Sequence, residues 1–321
     1  MPIAHPVLAT HGGKFHCDEV FAYAVLRLAL GLSQPGLDHT LLRTRRPELI
    51  EQADIVWDVG SVFDQERGRF DHHQRGAPLR ADGTPYSSAG LIWRVYGERA
   101  VGALLRAAGA EGFSAAIAAE LDGGLVRRID EIDNGVSASG PVKRDSHGLA
   151  ALIDEFNPCW DDPAANGPAA GDDAFLEAAA FAGAVLGRRV ETLRARHAAE
   201  AAVLAAHERS EDPRLLILET GMPWKNAVFT HELPVLFAVS PASNGNWMLD
   251  TVPPEPGSFE QRLALPEAWA GLQAEELARE SGVADAVFVH VRRFVGAAKS
   301  RGGAVALARK ALAGAEAVVQ A

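Results

Sequence analysis

The sequence predicts an α/β protein of two domains, and three observations carry that reading. Short apolar runs end in polar residues: Ile55-Val56-Trp57 delivers Asp58, and a run ending in Phe70 delivers Asp71, His72 and His73. Such residues are what an open sheet presents above the carboxyl ends of its strands. Segments of helical periodicity separate these runs, whereas from Leu215 the texture shifts to strand-like stretches (LLILE, LPVLFAVS, NWMLDTV and AVFVH). At 321 residues the chain is too long for one small core, and a boundary near residue 210, where a long helical stretch ends, gives domains 1–210 and 211–321.

In chain order, an apolar run through Val7 and Leu8 precedes His11-Gly12-Gly13-Lys14-Phe15-His16-Cys17-Asp18-Glu19. Phe21, Ala24, Val25, Leu28 and Leu32 then recur at helical spacing, predicting a helix over Asp18–Leu32 with acids in its first turn. Thr40–Arg43 reads as a strand, Pro47–Gln52 as a short helix and Asp54–Val59 as the central strand. Ser87-Ser88-Ala89-Gly90 opens a helix through Leu91–Tyr96 that Gly97 stops. Either serine fits as its N-cap; the functional alternative is a phosphate contact at that helix end. Helices continue over Gly112–Arg128, and Asp133 stands before an Asn-Gly turn. Asn157–Asp173 reads as a loop and Asp173–Arg209 as a long helix. Leu272–Glu280 and Gly303–Val318 are the helices of the second domain.

Composition narrows the function classes. Hydrophobic residues at 48% and charged residues at 23% are those of a soluble globular protein. Only Cys17 and Cys159 are present, which argues against a disulfide scaffold and for a reducing compartment. The first residues lack a basic segment followed by an apolar core, and no apolar run is long enough for a membrane span, so a cytoplasmic protein is expected. A net charge of −11 disfavours broad capture of duplex DNA. The basic runs Arg43–Arg46 (RTRR) and Arg127-Arg128 read as solvated faces. Self-association is left open.

Four of the 11 histidines fall in two short motifs beside acidic residues, His-x4-His-x-Asp at residues 11–18 and Asp71-His72-His73. Any one of these side chains has an ordinary alternative as a turn former or surface residue. Clustered at predicted strand ends with Asp58 and Asp133, they read as a metal site, and imidazoles mixed with carboxylates suit a divalent transition ion.

His-x4-His-x-Asp, the VWDVG strand, the RFDHHQRG segment and the EIDNG turn, in that order, resemble the melanocyte-proliferating-gene family of the DHH phosphoesterase superfamily. SSAGLIWRVYG, NPCW, MPWK, LPEAWAGL and FVHVRRFVGAAKS extend the resemblance along the chain. It implies a parallel-sheet DHH-type catalytic domain with a smaller mixed α/β C-terminal domain. It also implies a hydrolase with two divalent ions, Mn²⁺ before Mg²⁺, Co²⁺ or Zn²⁺, and 3′–5′ exonuclease activity on RNA or short oligonucleotides.

Carried over position by position, the resemblance gives His11, His16 and Asp58 to one ion and Asp18, Asp58, His72 and Asp133 to the other, with Asp58 bridging. A water between ions roughly 3.5–4 Å apart is then acidified to the nucleophile. His73 faces the substrate, and Asp71 orients an imidazole rather than binding metal. His16 stands where the superfamily commonly has an aspartate. Two ions set against three carboxylates and a hydroxide leave the centre near neutral, so an anionic substrate needs further cations. His290, Arg293, Lys299 and Arg301 are the expected source, with Ser88 at a helix end as a further contact. A small phosphate ester or pyrophosphate is the alternative substrate, and a non-catalytic metal-binding regulator the alternative class.

Overall fold

The computed structural model describes residues 5–143, 145–162 and 171–320, so the middle of the loop expected over Asn157–Asp173 lies outside the described residues. The chain divides into two compact units, Met1–Arg194 and Ala195–Ala321.

The first unit is built on β1 (Val7–Thr10), β2 (Thr40–Arg43), β3 (Ile55–Trp57), β4 (Phe63–Asp64) and β5 (Arg69–Phe70), in the spatial order β2-β1-β3-β5-β4. All neighbours are parallel except the edge strand β4. Parallel strands end at the same edge, so the residues after β2, β1, β3 and β5 are set side by side about 4.8 Å apart. The chain leaves β1 for β2 on one side and finds β3 on the other, which makes the gap between β1 and β3 the crevice where such sheets bind ligands.

Helix α1 (Cys17–Leu30) crosses behind the sheet and ends at Gly31, which takes the left-handed conformation at φ 71°. It is apolar nearly all round and correspondingly buried, with Val20, Phe21, Tyr23 and Leu26 wholly inside. α2 (Pro47–Gln52) is short. α3 (Ser88–Leu105) packs on α1 and does not stop at Gly97. Gly97 lies inside it because a Cβ there would stand 2.6 Å from the Trp93 ring; the glycine makes room for an indole rather than ending a helix. α4 (Ser114–Leu121) runs through a π-helical turn, Asp122–Val126, into α5 (Arg127–Asn134), which Gly135 caps at φ 67°. Asp133 therefore rides the last turn of a helix. A small hairpin, β6 (Val136–Ser137) and β7 (Gly140–Pro141), then α6 (Leu149–Asp154) and the start of α7 (Asp172–Glu208) complete the unit.

The second unit contains β8 (Leu215–Ile217), α8 (Lys225–Thr230), β9 (Phe237–Pro241), β10 (Trp247–Thr251), α9 (Ala274–Ser281), β11 (Ala286–Val289), β12 (Val295–Ala298) and α10 (Arg301–Gln320). Its sheet runs β11-β12-β10-β9-β8, antiparallel except for β8 against β9. β12 occupies the segment whose basic flanks read as a cation run. Gly296 sits there because a Cβ would come within 3.1 Å of the Phe288 carbonyl oxygen. Among the described residues no helix is long and apolar enough to cross a membrane.

Candidate metal centre

Three adjacent strands of the first unit deliver the site. His11 follows β1, Asp58 follows β3 and Asp71-His72-His73 follow β5, while α1 adds Asp18 and Glu19 in its first turn and α5 adds Asp133. All of them except Glu19, which is buried beneath His11, line a cleft of about 930 Å³, together with His16.

Asp58 is the hub. Its Oδ2 lies 3.2 Å from His11 Nε2 and its Oδ1 lies 3.2 Å from His72 Nε2. The residue holds φ 56°, a left-handed conformation that aspartate and asparagine tolerate better than most side chains. His72 Nε2 also approaches Asp133 Oδ2 at 3.5 Å and Asp18 Oδ2 at 3.9 Å. The carboxylate of Asp18 accepts from the Ser88 hydroxyl at 2.7 Å and from the Ser88 amide at 3.3 Å, both through Oδ2. Its Oδ1 is buried with no hydrogen-bond partner. An orphaned carboxylate oxygen among imidazoles is what a cation would complete. Donor atoms of Asp58-His72-His73, of Asp18-His72-Asp133 and of His11-His16-Glu19 each fall within 4.8 Å of one another, so the residues present fit metal ions.

Asp71 does not join these groups. Buried, it accepts from His73 Nδ1 at 2.7 Å, from the His72 amide at 2.7 Å and from the Ser61 amide at 2.6 Å. It ties the loop after β3 to the double histidine. Ser88 is wholly buried and its hydroxyl donates to Asp18; Ser87 is the N-cap of α3. Lys14 pairs with Asp154 at 2.9 Å. Burial pushes the Cys17 thiol well above its ordinary value, which suits a packing residue.

Two residues at or beside the cluster escape sequence reasoning. Glu19, read only as a first-turn acid, is fully buried and lies 2.9 Å from His11 Nε2. Its signal was the H-x-x-E spacing, a capping box with histidine in place of serine. Arg45, read as part of a solvated run, lines the cleft because it follows β2 at the same sheet edge, and it is the one arginine or lysine among the described lining residues. Arg43 departs from that reading too: its side chain is buried, bonded to the Gly13 carbonyl and to Asp172 at 2.8 Å, with its guanidinium over Phe15 and Phe175.

The other candidates lie in the second unit, His290 and Arg293 on the turn between β11 and β12, Lys299 just after β12 and Arg301 at the start of α10. The His290 and Phe294 rings meet at a tilt of 51° with centroids 4.5 Å apart, and Arg293 turns the chain at φ 61° while donating to the Leu265 carbonyl at 3.3 Å. Lys299 is exposed, and Arg301 is held by Glu219 at 3.0 Å.

Without a cation the cluster grips protons. Burial raises Asp133 to about 9, reinforced by the charge of Asp18, and raises Glu19 to about 8 against the hydrogen bond from His11. Burial works downward on the imidazoles, but bonds to Asp58 and Glu19 prevail at His11 and lift it to about 10. The bond to Asp58 likewise lifts His72 to about 9. Asp58 goes the other way: burial would raise it, yet His11 and His72 hold it at about 2.

The first four groups bind protons more tightly folded than unfolded. The imidazole contributions are complete below pH 6.5 and fade as pH climbs through about 9 and about 10. The two carboxyls favour the fold only while neutral, so their contributions fade between 3.8 or 4.5 and about 9 or about 8. Above neutrality all four slopes share one sign, whereas the Asp58 contribution is lost only as pH falls from 3.8 towards about 2. Thermal melts of metal-free protein should therefore show a midpoint that declines from pH 7 to about 10, and a divalent ion should flatten the decline. A midpoint that rises across that range contradicts this account.

An α/β protein whose parallel sheet edge carries a buried imidazole–carboxylate cluster able to hold metal ions is the class that fold and site define. The model of an uncharacterised protein family (UPF0160) matches residues 7–312, and the chain belongs to this family, the MYG1 family. It is 36% identical over 333 residues to MYG1 protein C27H6.8 of Caenorhabditis elegans, covering 95% of each chain. With the MYG1 exonuclease of Homo sapiens it shares 33% identity over 336 residues, covering 97% of this chain and 87% of the human one. With the MYG1 protein of Dictyostelium discoideum it shares 30% over 328 residues, covering 95% and 96%. No solved structure matches the chain.

Proposed function

We propose that the chain is a metal-dependent phosphodiesterase of the DHH type that acts as a 3′–5′ exonuclease on RNA or short oligonucleotides. One observation carries the reading: side chains from four separated segments meet in one cleft, and Asp18 Oδ1 is buried there without a donor. The relatives from Homo sapiens and Bos taurus bear the name exonuclease, which points to nucleic acid as the substrate class.

His11, His16 and Asp58 would hold one ion, and Asp18, Asp58, His72 and Asp133 the other, with Mn²⁺ favoured by the imidazole content. Bound there, the ions supply Lewis-acid activation of water and neutralise charge on the phosphoryl oxygens. The protein's own groups do the rest. Ser88 fixes Asp18, and the left-handed backbone at Asp58 aims its two oxygens at different imidazoles. His73, half exposed, commits Nδ1 to Asp71, whose hydrogen bond raises the imidazole's affinity for its proton. Nε2 is thereby left to give a proton to the departing 3′ oxygen. His290, Arg293 and Lys299 remain candidates for binding the substrate's phosphates.

Arg45 is the cation of the cleft itself, and the chain's reach for phosphate there depends on it. Arg45→Ala should raise KM about tenfold, the loss of one charge-assisted contact, and leave kcat within about threefold. Steady-state kinetics on a labelled oligonucleotide check this, and an unchanged KM takes Arg45 out of the site.

A second reading has an observation of its own. A cleft with acidic neighbours Asp145, Asp154 and Glu155 and a single arginine suits a substrate with few phosphates, such as a small phosphate ester or pyrophosphate. Purified protein with Mn²⁺ and end-labelled RNA, a dinucleotide or pyrophosphate separates the two. Stepwise 3′ shortening supports the exonuclease, and phosphate release from pyrophosphate alone supports the second. Inertness towards all three with metal bound overturns both in favour of a regulatory metal-binding protein.

A further inference from the structure

We propose that Glu19 belongs to the first metal position, where it supplies the negative charge that His16 does not. The inference rests on the metal-dependent reading above and adds a residue to it. With His11, His16 and Asp58 alone, a divalent ion would meet two neutral imidazoles and a single shared carboxylate. An aspartate in place of His16 would add a second charge.

The geometry points to where that charge comes from. Glu19 is wholly buried, and its donor atoms lie within 4.8 Å of those of His11 and His16 and, in a second grouping, of those of Asp18 and Asp58. Glu19 Oε1 and Asp58 Oδ2 stand 2.9 and 3.2 Å from His11 Nε2. Neighbouring donors bound about 2.1 Å from one ion at right angles are themselves about 3 Å apart, so each of the two oxygens already stands from the imidazole nitrogen as a fellow ligand would. The carboxylate is held in place: both oxygens accept from the His16 amide, at 2.8 and 2.9 Å, and the Glu19 carbonyl accepts from Trp57 Nε1 at 3.0 Å. The hydrogen-bond and ion-pair partners the structure gives that carboxylate are an imidazole and a backbone amide, with no lysine or arginine. A buried carboxylate beside two other carboxylates and no fixed cation is costly unless a cation joins it.

The competing role is that of a helix cap alone, which needs one acceptor oxygen and no charge. Glu19→Gln keeps that acceptor and removes the charge, so it separates the two. Mn²⁺ titrations by calorimetry, with bound metal counted after dialysis, should give two ions per wild-type chain. For Glu19→Gln one of the two should bind about 10- to 100-fold more weakly. The double variant Glu19→Gln/His16→Asp, which puts a carboxylate back, should recover affinity to within about threefold of wild type, a rescue that a capping role would not produce. The metal-free melting midpoint of each variant verifies the fold, and Glu19→Ser, expected to show the same loss, replaces the glutamine variant should it be unstable. Two ions bound to Glu19→Gln with wild-type affinity overturn the assignment and leave the metal-dependent reading standing; a wild-type protein that binds no Mn²⁺ removes both.

Discussion

Asp58→Asn is expected to lower phosphodiester hydrolysis by about 10³-fold or more and to cut the bound metal to one ion or none. Asparagine is the informative replacement. It keeps the size of the side chain and tolerates the left-handed backbone at φ 56°, so the turn after β3 survives. What it loses is a carboxylate that bonds two imidazoles at once and is held ionised at about 2 by them. Hydrolysis of end-labelled RNA and elemental analysis of the dialysed protein check the two halves separately. Activity within about tenfold of wild type would falsify the central role given to this residue.

The second large effect is on stability. Arg80 donates to Asp130 at 2.7 Å and in a fork to Asp122 at 2.9 and 3.0 Å, with its guanidinium over the Tyr86 ring. Asp130, fully buried on α5, also accepts from the Ser87 amide and hydroxyl at the start of α3. The first turn of α3 leaves room for it: a Cβ on Gly90 would lie 2.5 Å from both Asp130 oxygens. This network pins the helix that carries Asp133 to the helix start that carries Ser88, the partner of Asp18. Arg80→Met strands the Asp130 charge in the interior, which costs about 3–5 kcal/mol. The melting midpoint should then fall by about 10 °C or more for a unit of this size. Adding Asp130→Asn should recover part of the loss, because it removes the stranded charge and keeps an acceptor for Ser87. A change below about 1 kcal/mol in Arg80→Met would show that the network does not hold the helices.

Much of the candidate site was legible in the sequence because most of the side chains brought together there come from strand ends and a first helical turn, where local pattern fixes position. His11, Asp58, Asp71 and His72 are each preceded by the apolar run that places them. Glu19 was hidden because an acid in the first turn of a helix has an ordinary electrostatic reason to be there. Arg45 was hidden because only sheet order, with β2 beside β1, brings its loop to the cleft. Gly97 is a helix breaker by composition and a helix interior by packing, and that depends on how the Trp93 ring lies across it. β12 lay unseen because Val295-Gly296-Ala297-Ala298 has little of the branched bulk that marks a strand; its pairing partners supply what its own side chains lack. Arg80 and Asp130, 50 residues apart, carry no local signature at all.

The burial of α1 has a consequence for measurement. A helix enclosed on nearly every side offers its amides no path to deuterium short of opening the whole unit, so its slowest exchanging protons should report global unfolding. Asp18 and Glu19 stand on that slow element, while His73 stands on a loop half open to solvent. Deuterium uptake should accordingly split the cleft into a wall that is fixed before any ion arrives and a lip that is still in motion.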